Sequence, residues 1–123
     1  MPPLSEAARI KKVVELFLVA SKVDPIINAQ QNAQIIECIT HYGYSDREAE
    51  QLLDGAFDKM DRGQLRSPDH IIQEVSRAFR RRDHIYVLEH TQSILEAGNI
   101  TPEAEKFFDK CVSALYHPEF FEQ

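Results

Sequence analysis

A helix-turn-helix hinge that occurs twice constrains this chain more than any other feature. An apolar stripe from Val13 to Ala20 runs through a short turn into Asp24-Pro25 and a second helical segment. Another stripe, ending at Leu95, passes through Ala97-Gly98-Asn99-Ile100 into Thr101-Pro102 and a further helical segment. Proline directly after an Asp or Thr cap marks a helix start, because its missing N–H falls where a helix has no internal acceptor for it. Two such units predict an all-α fold with internal near-symmetry, and no stretch shows the alternation of a half-buried strand.

Apolar spacing and capping residues divide the chain into about six predicted helices. The first, over about 5–21, follows a Ser5 cap and places Ile10, Val13, Val14, Phe17 and Leu18 on one face. The second, over about 25–42, turns Ala29, Ile35, Ile36 and Ile39 inward and stops at Gly43. In the third, Ser45 and Glu48 form a capping box ahead of Ala49, Leu52, Leu53, Ala56, Phe57 and Met60, and Gly63 ends it. Ser67-Pro68 starts a fourth with Ile71, Ile72, Val75, Ala78 and Phe79, and a fifth begins near Asp83, separate from the fourth or continuing it as one bent helix. The sixth follows Thr101-Pro102 and is closed by Pro118. Short connections between amphipathic helices predict a compact bundle of two related helical hairpins, bridged by the third and fourth helices.

A length of 123 residues suits one helical domain over 1–123, with 1–4 and 118–123 as flexible or surface-docked tails, and is enough to form a core without a disulfide or metal staple. Cys38 and Cys111 each sit within an apolar stripe, so they read as buried free thiols and favour a reducing, cytoplasmic setting. Val13 to Ala20 is interrupted by Glu15 and followed by Lys22 and Asp24, which excludes a membrane span there, and it lacks the uncharged core of a signal peptide.

The net charge of −6 is unevenly spread. Acids dominate 1–61 and 85–123, whereas 62–84 carries six cations against three acids, and all six are arginine. Arginine offers a planar fork matched to carboxylates and phosphates. Arg77, Arg80, Arg81 and Arg82, with His84, therefore form a candidate patch for a protein partner such as an acidic peptide. Plainer roles are compensation of a helix C-terminal dipole and pairing with the chain's own acids. Overall acidity opposes a nucleic acid partner. The tail adds Phe120 and Phe121, which either fold back onto the bundle or supply a partner or homodimer contact.

The segment Ala97-Gly98-Asn99-Ile100-Thr101-Pro102-Glu103 resembles the repeated inter-helix turn of the tellurite-resistance TerB-like family, and Gly43-Tyr44-Ser45-Asp46-Arg47-Glu48 resembles that family's linker into its next helix. The resemblance covers about Val13 to Leu115. It implies an all-α fold of two pseudo-symmetric halves, a link to stress responses, and acidic turn residues that bind divalent metal. On this chain those turns offer Asp24, Glu96 and Glu103, but Ala97 and Thr101 stand where the family pattern has acids. Hard cations need several converging oxygens, which neither turn clearly supplies, and Asp24 and Glu103 read more simply as serving helix N-terminal dipoles.

Other site patterns are absent from the sequence. The run from Asp58 to Asp69 has the length of a calcium loop but places Met60 and Arg62 where oxygens are required. The five histidines form no metal-ligand spacing, although Glu37 with His41 and His70 with Glu74 stand one helical turn apart. The four glycines are isolated, which excludes a glycine-rich phosphate loop. No cofactor is expected. These readings favour a non-catalytic interaction module presenting an arginine patch, with a divalent-cation-binding stress protein as the alternative. An enzyme would instead reveal a deep pocket lined by perturbed carboxylates or histidines.

Overall fold

The computed structural model describes residues 6–23 and 29–121. Within them the chain forms α1 (Glu6–Lys22), α2 (Ala29–Thr40), α3 (Asp46–Asp61), α4 (Pro68–Ala78), a single 3-10 turn (Arg81–Asp83), α5 (His84–Glu96), α6 (Pro102–Leu115) and the short α7 (Pro118–Phe121). No strand occurs among the described residues. Nor is any helix among them long and apolar enough to cross a membrane.

The caps explain where the helices start. The Ser45 hydroxyl accepts from the Glu48 N–H while the Glu48 carboxylate accepts from the Ser45 N–H, completing the expected capping box of α3. Ser67 and Thr101 accept from the N–H groups of His70 and Ala104, each with proline next in the chain. Helix ends follow equally local rules. Gly63 takes φ +69° while its N–H bonds to the Met60 carbonyl and the Gln64 N–H reaches back to the Lys59 carbonyl, a left-handed closure that strongly favours glycine. Gly43, at φ +95°, closes the turn after α2.

α1 is the axis of the bundle, packing against α2, α3, α4 and α5. The sequence predicts one apolar face for it, but Leu16, Ala20 and Ser21 are buried as well as the expected stripe. A helix flanked by four others has little side left for water, and Ser21 meets the condition by donating to the Leu18 carbonyl at 2.7 Å. α6 closes the far side against α4 and α5, bringing in Ala104, Phe107, Cys111 and Leu115. Both cysteines are free and buried as expected, and burial pushes the thiols up, Cys38 to about 11 and Cys111 to about 12.

In the second half one open reading is decided and one expectation is corrected. α4 and α5 are separate helices, because Phe79 and Arg80 adopt extended backbone before the 3-10 turn re-enters a helix. Pro118 does not close α6, which ends at Leu115 with Tyr116 as its cap. It begins α7 instead, where its missing N–H falls at a helix start, and α7 is held to the body by an ion pair from Arg81 to Glu119 at 2.6 Å.

Candidate functional site

The segment from Phe79 to Asp83 separates two surfaces. Phe79 is half-buried and Asp83 partly so, and both line a cleft of about 850 Å³. Arg80, Arg81 and Arg82 between them are exposed, as is Arg77 in the last turn of α4. The four arginines of the expected patch are thus exposed around the break between α4 and α5, at a corner of the molecule.

The arginines of that corner differ in their partners. Arg81 is paired with Glu119. Arg77, Arg80 and Arg82 have no carboxylate partner among the described residues, whereas Lys12, Lys59, Arg62 and Lys110 each pair with an acid. The Arg81 pair also brings α7 to the corner, so half-buried Phe120 lies on the neighbouring turn of chain. The Phe121 side chain is outside the described part of the structure.

His84 does not belong to the exposed patch. It is only 2% exposed, and its Nε2 lies 3.0 Å from the Ser76 carbonyl and 2.9 Å from that of Phe79. Carbonyls only accept, so this nitrogen carries a proton, and Nδ1 forms a hydrogen bond with His117 Nε2 at 2.8 Å. The imidazole serves the carbonyls that the end of α4 leaves open and joins them to the linker before α7. Burial, with Arg81 and His84 adding to it, lowers the pKa of His117, in keeping with a neutral ring.

The acidic hinge residues that are described, Glu96 and Glu103, are not gathered into a metal site. Glu96 and Glu103 are exposed, and Asp24 lies outside the described residues. Among the described residues no group of three His, Cys, Asp or Glu side chains is placed to hold a metal ion. The structure does form the one-turn pair of His70 with Glu74, at 2.8 Å, and Lys12 of α1 joins the same carboxylate, fastening α4 to the central helix.

The cleft meets in part the condition named for an enzyme, since its lining includes His90 with a lowered pKa, but the sequence gives no sign of where it forms. Its walls come from the start of α1, the end of α2, the turn after it, Phe79, and α5. Tyr42 is the centre of its aromatic lining, 5.6 Å from the ring of His90 and 6.3 Å from that of Phe79. His90 also meets His41 edge to face at 5.2 Å and Phe17 at 6.0 Å. Burial lowers the pKa of His90, and the neighbouring His41 adds to the effect against an opposing pull from Glu37. Burial raises that of Tyr42. The Tyr42 hydroxyl is buried and has no hydrogen-bond partner among the described residues. Tyr44 and Tyr86 extend the aromatic surface outward, the latter 55% exposed. The sequence carries a trace of this in Tyr42-Gly43-Tyr44 around a helix stop, but the approach of α5 to the end of α2 is a tertiary event.

Comparison with protein-family models, curated proteins and solved structures finds no match.

Proposed function

We propose that this protein is a non-catalytic helical interaction module that captures an acidic protein segment at the corner formed by Arg77, Arg80 and Arg82. The observation that carries this reading is that these exposed guanidinium groups have no carboxylate partner among the described residues, in a chain with a net charge of −6. Like charges held side by side repel one another, and an acidic segment relieves that repulsion while its carboxylates accept paired N–H bonds from arginine. Phe120, beside the corner, supplies apolar contact area. The TerB-like resemblance of the turns supports placing such a module in a cytoplasmic stress response, and the packing of α1 on α2 and of α5 on α6 suits its two-hairpin description.

The test is titration of a labelled glutamate-rich peptide into the wild type and a variant carrying Arg77→Glu, Arg80→Glu and Arg82→Glu, with Arg81 kept because it holds α7. Saturable binding by the wild type, lost in the variant at an unchanged melting temperature, is the expected result. Equal binding by both proteins, or none by the wild type, removes the corner as the recognition surface.

A further inference from the structure

The cleft presents a different chemistry from the arginine corner. Glu6, Glu37, Asp83 and Glu89 line it, and Arg9 is the one lysine or arginine among its lining residues. None of those carboxylates has an ion pair to a lysine, arginine or histidine among the described residues. Their negative potential falls on a surface of tyrosine, phenylalanine and histidine rings, of which the tyrosine and phenylalanine faces attract cations.

We propose that the cleft between α2 and α5 binds a small organic cation, an ammonium or amidinium head on an apolar frame. The aromatic rings pack against the frame and the head, and the unpaired carboxylates surround the charge. A volume of about 850 Å³ lies within the usual range of small-molecule pockets, about 300–1,000 Å³. A bare metal ion fits poorly, since no three ligating side chains converge among the described residues. A phosphorylated ligand would meet repulsion from the lining carboxylates. This inference is independent of the arginine corner, because a different set of side chains carries it.

The experiment uses the full chain and three ligands with a common frame: benzyltrimethylammonium, neutral benzyl alcohol and anionic benzoate. Ring-proton NMR signals of His41, His90 and Tyr42 report binding, and calorimetry gives affinities. Benzyltrimethylammonium is expected to shift these signals saturably, with benzyl alcohol weaker by about tenfold and benzoate weaker still. Glu37 and Glu89 are exposed, so Glu37→Gln with Glu89→Gln should leave the fold intact and weaken the cation by about tenfold. The Arg77, Arg80 and Arg82 charge-reversal variant should retain the cation site even if peptide binding fails. Equal affinity for the neutral and cationic probes, or full affinity in the glutamine variant, would overturn the proposal. So would binding of a pentalysine peptide at the cleft without binding of the small cation.

Discussion

Replacing His84 with alanine is expected to lower stability by about 2–4 kcal/mol. The imidazole is buried and makes contacts of 2.8, 2.9 and 3.0 Å, the latter two sharing the Nε2 proton between the Phe79 and Ser76 carbonyls. Counting that shared donor as one bond, the two hydrogen bonds contribute about 1 kcal/mol each net, and stranded carbonyls add about 1–3 kcal/mol where water does not reach them. Water reaching part of the gap keeps the total near the middle of that range. For 123 residues a loss of 1 kcal/mol corresponds to about 4 °C, so the melting temperature should fall by about 8–16 °C. His84→Gln keeps an N–H donor near the Nε2 position and should recover part of the loss. Calorimetric melts of both variants beside the wild type make the measurement, with peptide binding assayed well below the transition. A melting temperature within about 2 °C of the wild type would refute this account of the α4 end. Loss of peptide binding at undiminished stability would return His84 to the recognition surface.

Gly98→Ala should destabilise by about 1–3 kcal/mol through overpacking. A Cβ there would stand 2.4 Å from Gln31 Nε2, and that amide is held in the interior by its bond to the Ile94 carbonyl at 3.1 Å. Denaturant midpoints of Gly98→Ala, Gln31→Ala and the double variant should show less-than-additive losses, whereas simple additivity would mean the two positions do not meet. Stability should also decline with acid in two stages. Burial lowers the His90 pKa from its ordinary 6.5, so the unfolded chain takes up that proton first and its contribution is lost as pH falls below about 6.5. The hydrogen bond from Lys12 holds the Glu74 pKa below its ordinary 4.5, so that contribution, present above this value, disappears as pH falls further. Urea midpoints from about pH 7 to pH 3 check both, and His90→Gln should shrink the upper stage, to which His117 with its lowered pKa also contributes, and leave the lower one unchanged.

The readable parts of this fold depend on near neighbours in sequence. Ser45 with Glu48, Ser67 before Pro68 and Thr101 before Pro102 satisfy the first N–H groups of their helices within a few residues. Gly43 and Gly63 close turns with backbone that other residues rarely adopt. The all-round burial of α1 was harder to read, because a stripe records which residues must be covered and leaves open how many helices share the covering. His84 misleads for a related reason. Beside three arginines it looks like another surface cation, yet the carbonyls that claim it are exposed by the chain break at Phe79, which the sequence leaves unresolved between a break and a bend.

That break also shapes the two proposed surfaces. Had α4 run unbroken into α5, Phe79 and Asp83, four residues apart, would have shared one helix face with Arg82 close beside it. Extended backbone at Phe79 and Arg80, followed by the 3-10 turn, instead leaves Phe79 and Asp83 lining the cleft and the intervening arginines exposed. The ring of Phe79 faces Tyr42 while its carbonyl accepts from His84, so one residue supports the aromatic wall and the fastening of α5. Opposite charges a few residues apart in sequence are thereby kept on distinct surfaces, and summed over the sequence they register only as a modest net value.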